Sequence, residues 1–160
     1  IIQEMQAATT YATMDTRAGG SSPAEAVRVL DFDATSEEVM DFHCLLEGYD
    51  GGGLTIKIKW MASSATTGDV VWSAGIRRIA DDADDVDDAH TYDYNNAAAD
   101  TTANVSGETS KKAVTFTAGA DMDSWAAGES AIVRIRRVAT DGGDTLVGDA
   151  EYVVAVLSET

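Results

Sequence analysis

The side chains best able to do chemistry here are two histidines, His43 and His90, one cysteine, Cys44, and 28 carboxylates in 160 residues. Neither histidine stands at a metal-ligand spacing or beside a candidate nucleophile. Ser21 and Ser22 fall in loop composition, and there is no GxSxG elbow. Carboxylates two apart, Asp31 with Asp33 and Asp121 with Asp123, share one side of an extended chain, as a glycosidase or a cation site would use. With so many acids such pairs also arise by chance. Six aspartates lie between Asp81 and Asp88, and like charges in a block repel and stay solvated. For calcium this run lacks the Gly turn and the distal Glu of an EF-hand, so an exposed acidic loop is the simpler reading. Residues 51–53, three glycines, lack the following helix and the Lys-Ser/Thr of a phosphate loop. The expectation is a protein that is not an enzyme, with no catalytic, cofactor or metal site.

Charge narrows the partners. Eleven basic against 28 acidic side chains give −17, which repels phosphate backbones and anionic lipid surfaces, so nucleic acid and membrane are both excluded as expected partners. Salt screens such self-repulsion, which points weakly to a saline source. A single cysteine rules out an intrachain disulfide and a Cys-based zinc site from this chain alone, and the apolar neighbours of Cys44 make it a small buried hydrophobe. No apolar run approaches the roughly 18 residues of a membrane span, and no secretory signal is visible at the N-terminus. The sequence opens on Ile1 in place of Met, which leaves processing open.

The elements that must position these residues read as strands. In residues 51–79, GGGLTIKIKWMASSATTGDVVWSAGIRRI, Leu54, Ile56, Ile58 and Trp60 alternate with Thr55, Lys57 and Lys59; Val70, Trp72, Ala74 and Ile76 alternate with Ser73, Gly75 and Arg77. The Ser-, Thr- and Gly-rich stretch 62–69 predicts the loop of an antiparallel pair, or at its length a crossing between sheets. Residues 11–16 suit a first edge strand, 17–23 a loop, and 26–32 and 39–46 two further strands. Helix is the rival over 36–47, where Ser36 is a possible N-cap followed by Glu37 and Glu38. Residues 91–94 and 98–105 form a weak, broken strand region, and 111–117 alternate cleanly. In the connection 118–130 one helical turn is expected near Met122, with Trp125 as a plug over the core. Strands 131–138, with Arg134 and Arg136 opposite Val133 and Ile135, and 150–157 complete the set.

Eight to ten short strands without a sustained helical period predict an all-β, antiparallel β-sandwich, jelly-roll-like, as two four-stranded sheets. An immunoglobulin-like arrangement ranks second because the Cys-Trp-Cys spacing is missing. The expected organisation is an N-terminal arm, residues 1–10, and one domain, 11–160. The scarce basic residues, Lys57, Lys59, Arg77, Arg78, Arg134, Arg136 and Arg137, fall mainly in strands. They either pair with aspartates across strands or form a positive patch that meets an acidic patch on a neighbouring subunit.

The segments TTYATMDTR, VLDFDATSEE, GYDGGGLTIKIKWMASSATTGDVVWSAGIRRI and AGESAIVRIRRVATDGGDTLVGDAEYVVAVLSET resemble small structural proteins of tailed, mostly marine, bacteriophages. The resemblance implies a jelly-roll-like module on the virion surface, assembled in the host cytoplasm: a head decoration (cement) protein, or a piece of a fibre. For the cement reading the expected partners are copies of itself, as a homotrimer, and the major capsid protein. The expected assembly contacts are Ile1, Ile2, Met5, Lys57, Lys59, Arg134 and Arg136. A fibre or glycan-binding module is the alternative, with Trp60, Trp72, Trp125, Tyr92 and Tyr94 as stacking candidates. A subunit of a non-viral extracellular filament is a third reading.

Overall fold

A computed structural model describes residues 10–160; Ile1, Ile2 and Met5, and the rest of the expected arm up to residue 9, lie outside the described residues. The chain is an antiparallel β-sandwich of jelly-roll type. Its strands are β1 (Thr13–Gly19), β2 (Glu25–Phe32), β3 (Val39–Leu45), β4 (Leu54–Ala62), β5 (Asp69–Val70), β6 (Trp72–Ile79), β7 (Tyr94–Asn96), β8 (Asp100–Thr101), β9 (Thr109–Phe116), β10 (Ser130–Arg137) and β11 (Ala150–Glu159). One sheet has the order β1-β2-β11-β4-β9 and the other β3-β10-β6-β7, while β5 and β8 form a two-residue pair. The first sheet has five strands in place of the expected four. The only helical element among the described residues is the 3-10 turn Ala120–Met122, and no helix is long and apolar enough to cross a membrane.

Alternation places the side chains. Leu54, Ile56, Ile58 and Trp60 on β4, and Trp72, Ala74 and Ile76 on β6, all point into the space between the sheets and are buried. Each large side chain buried there stabilises the sandwich by about 1.5–3 kcal/mol. Trp72 sits at the centre, edge-on to Phe32 at 5.1 Å and to Trp60 at 6.2 Å between ring centroids. Of the two expectations for the connection between these strands, antiparallel pairing is overturned and the crossing between sheets is what forms. β4 pairs with β11 and β9, β6 with β10 and β7, and the polar segment between them crosses from one sheet to the other. Residues 39–45 are strand, not helix, because Met40 and Phe42 alternate into the core while Asp41 and His43 face out. At the other end of the molecule Trp125 is buried and donates its indole N–H to the Glu129 carbonyl at 2.8 Å, closing the core as expected.

Two departures from simple alternation shape the rest. The expected first strand begins one sheet away from where it ends. Tyr11 bridges to Val39 beside β3, Ala12 is buried at the crossing, and β1 then runs through Arg17 to Gly19 as the edge of the five-stranded sheet, shortening the expected loop. Arg137, expected with the other strand cations to pair across strands or to join a positive patch, is fully buried. Its five N–H donors reach both oxygens of Asp144 and the carbonyls of Phe32, Leu146 and Gly148, at 2.7–3.2 Å. That guanidinium fixes the loop between β10 and β11 to the end of β2.

Candidate functional site

The outer face of β3-β10-β6-β7 gathers the polar and aromatic side chains that the core rejects. Register sets Arg134 directly opposite Asp41 on β3 and Gly75 on β6. Arg134 forms a two-pronged ion pair with Asp41, Nε to Oδ1 and Nη2 to Oδ2, both at 2.6 Å, the geometry in which guanidinium and carboxylate bind most strongly. The Tyr11 hydroxyl donates to Oδ2 of the same carboxylate at 3.1 Å. Two positions along, Arg136 is hydrogen-bonded to Glu37.

Two tyrosines lie over these arginines. The Arg134 guanidinium sits 4.5 Å from the Tyr92 ring centroid and that of Arg136 3.8 Å from Tyr94, both within cation–π range. Tyr92 and Tyr94 are 5.8 Å apart and tilted by 31°, and His90 meets the Tyr92 ring edge-on at 4.9 Å. Gly75 makes room for this row. A Cβ there would lie 3.1 Å from the Tyr92 side chain and 3.1 Å from the Asp93 carbonyl, so even an alanine would press Tyr92 or the Asp93 backbone outward by a few tenths of an ångström. The acidic run 81–88 borders the site as the exposed loop expected; Arg77 holds it by donating to the Asp85 and Val86 carbonyls at 2.7 and 3.3 Å. The result is a cleft of about 330 Å³ walled by Tyr11, Asp41, His43, His90, Tyr92 and Arg134.

Burial pushes the Tyr92, Tyr94 and Tyr11 hydroxyls above the ordinary phenol value, with the Asp41 charge adding to the rise. Phenols are protonated at neutral pH even without that rise, so these hydroxyls can donate hydrogen bonds, as Tyr11 does to Asp41. Bidentate pairing with Asp41 holds the Arg134 charge more firmly than usual. The site thus offers flat π surface, fixed charges and neutral hydroxyls side by side.

Of the residues singled out from sequence, Arg134, Arg136, Tyr92 and Tyr94 come together here. Trp60, Trp72 and Trp125 do not: all three are in the core and cannot stack on a ligand. Lys57 and Lys59 project from β4 on the opposite outer face, so they and the arginines form no single patch. Asp121 is used in binding Asn95 and Thr117, Asp123 in binding the Arg78 amide, and Asp33 in holding the turn at Thr35 and Ser36. Tyr11 and Asp41 were missed; the one signal for Asp41 is a carboxylate on the outward phase of an otherwise apolar strand.

The sequence matches no protein-family model and no curated protein. Among solved structures the fold is similar to the CBM22-2 xylan-binding domain of Paenibacillus barcinonensis Xyn10C, at 11% identity and a TM-score of 0.55, covering 99% of this chain and 91% of that one. A second match is to the enzymatically active domain of tailspike protein 4 of bacteriophage CBA120, at 9% identity and a TM-score of 0.42, covering 100% of this chain and 19% of that one.

Proposed function

We propose that this chain is a non-catalytic glycan-binding module whose ligand lies along the outer face of β3-β10-β6-β7. The observation that carries the reading is Tyr92 seated on Arg134 in the wall of the cleft, with the bidentate Asp41 beside it and the Tyr94–Arg136 pair next to it on the same face. A sugar ring has an apolar C–H face, which packs on an aromatic ring, and a rim of hydroxyls, which bond to fixed charged groups and to phenolic O–H. Pre-paired side chains lose little freedom when the ligand arrives, so more of the contact energy appears as affinity. The likeness in fold to a xylan-binding domain supports xylan as the first probe.

Affinity electrophoresis in gels containing soluble xylan, a neutral glucan or an acidic polysaccharide tests this. The expected result is retardation by at least one neutral polysaccharide, lost in Tyr92→Ala with the melting temperature kept. Equal mobility in every gel, or retardation unchanged in Tyr92→Ala, overturns it.

A second reading, a self-associating virion component such as a head decoration protein bound to the major capsid protein, is favoured by a different surface. On the outer face of the five-stranded sheet Lys59 stands opposite Lys111, and Lys57 and Lys59 are paired with the exposed Val156 and Val154. Like charges opposite one another destabilise a sheet, and among the described residues none of these three lysines has an ion-pair partner. In a chain of charge −17 a cluster of exposed cations and valines fits an acidic surface of a neighbouring copy, such as residues 81–88.

A further inference from the structure

At the other end of that same outer face three carboxylates meet. Asp31 on β2 lies directly opposite Glu151 on β11, and Asp15 on β1 is two positions along the sheet from the partner of Asp31, Thr13. One oxygen from each of Asp15, Asp31 and Glu151 lies within 4.8 Å of the other two. Only Asp15 of the three is exposed. Glu151 is only 2% exposed, and its Oε2 and the Asp31 Oδ1 are buried atoms that no hydrogen bond reaches. A buried carboxylate oxygen without a partner costs about 1–3 kcal/mol or more, so its retention needs a reason.

Arg17 is an incomplete one. Its Nε lies 3.2 Å from Glu151 Oε2, an ion-pair distance, yet too poorly aligned for a hydrogen bond. Its other nitrogens are committed, Nη1 to the Ser63 carbonyl at 2.6 Å and Nη2 to the Ser106 hydroxyl at 3.1 Å. One guanidinium faces three carboxylates, with Asp149 adding to the negative field. Two negative charges remain over, the charge of one divalent cation.

We propose that Asp15, Asp31 and Glu151 form a calcium site on the outer face of β1-β2-β11. Calcium binds oxygen at about 2.3–2.6 Å, so two oxygens it shares stand up to about 5 Å apart. One oxygen of each of the three lies within 4.8 Å of the others, inside that limit, so the trio can share one ion. Magnesium, at about 2.0–2.1 Å, needs a tighter set and gives up water reluctantly. Asp15 is exposed, which leaves that side open for the water ligands calcium also takes; its Oδ1 already accepts from the Thr16 amide at 2.7 Å. Burial raises the Asp31 and Glu151 carboxyls above their ordinary values and neighbouring carboxylates add to the rise, which Arg17 opposes without cancelling.

The site and the cleft occupy opposite outer faces, so this inference stands or falls independently of glycan binding. The test is calorimetric titration of the EDTA-stripped full chain at pH 7.5 with calcium and, separately, magnesium, paired with thermal melts at matched ionic strength. The expected result is one saturable calcium event and a melting temperature raised by roughly 5–10 °C at 100-fold excess over the dissociation constant. Asp15→Asn, at an exposed position, weakens calcium binding at least about tenfold, and Glu151→Gln abolishes it. No calcium response beyond that of magnesium or sodium overturns the proposal and leaves a proton shared between Asp31 and Glu151. Wild-type affinity in Asp15→Asn and Asp31→Asn also overturns it and moves the ion to residues 81–88; those two variants decide the matter if Glu151→Gln fails to fold.

Discussion

At the scale of single residues, Arg137 shows how much one side chain can hold. All five of its donors are satisfied inside the protein, and Asp144, which takes two of them, also accepts the Val71 amide at 3.0 Å. Removing the guanidinium leaves Asp144 as an uncompensated buried charge and strips three buried carbonyls of a donor. Arg137→Ala is therefore expected to cost about 3–5 kcal/mol of stability, and Arg137→Lys to recover little, because an ammonium has three donors and no fork. Urea denaturation of the two variants checks this; a loss below about 1 kcal/mol in Arg137→Ala contradicts the account. In sequence, Arg134, Arg136 and Arg137 look alike. Alternation correctly turns the first two outward and also turns Arg137 inward, but it cannot say that a carboxylate seven residues later waits for it. The same limit applies to the cleft: Tyr92, Tyr94 and Arg134 stood out by type, whereas Asp41 meets Arg134 across 93 residues and Tyr11 joins them from beyond the sheet edge.

At the scale of elements, β2 and β11 share only the three pairs from Ala150↔Phe32 to Tyr152↔Leu30, and one of these sets Asp31 against Glu151. That junction carries a pH signature. Both carboxyls hold their protons more tightly folded than unfolded. Between the ordinary carboxylate value near 4 and their raised folded values, the unfolded chain has released protons that the native chain keeps. The stabilisation is complete at the acid end of this window and is lost as pH rises through it. In calcium-free buffer the melting temperature is expected to rise as pH is lowered from neutrality toward the ordinary carboxylate value, and Glu151→Gln to flatten that rise; a wild-type melting temperature that only falls on this path refutes it. Asp33, whose carboxyl the Thr35 and Ser36 hydrogen bonds hold low, works the other way, but only at more acidic pH. The strands themselves were legible because period-two alternation is strong in β4, β6 and β10. Their partners were not. Alternation fixes which side of a strand is dry, and says nothing of which sheet it joins, so β4 and β6, neighbours in sequence, could be read as a pair or as a crossing, and they face each other across the core.

At the scale of the whole molecule, the two outer faces differ in character: one carries the arginine–tyrosine cleft, the other an acidic corner and a cationic, valine-bearing half. If the second half meets the acidic loop of another copy, association depends on salt as well as on concentration. Light scattering of the full chain is expected to show an oligomer, a trimer by the assembly reading, that dissociates with added salt and becomes a monomer in Lys57→Glu with Lys59→Glu. A wild-type monomer at high protein concentration and low salt sinks that reading and leaves the glycan reading untouched.

β10 has a consequence for how this fold can change. Its residues go alternately into the dry interior, as Ala131, Val133 and Ile135, and onto the wet face, as Arg134 and Arg136. Substitutions at 134 and 136 therefore change the outer face without touching the interior side of the same strand. On the glycan-binding reading, a library randomised at positions 92, 94 and 136, with the Asp41–Arg134 pair kept, would sample new specificities on the same core.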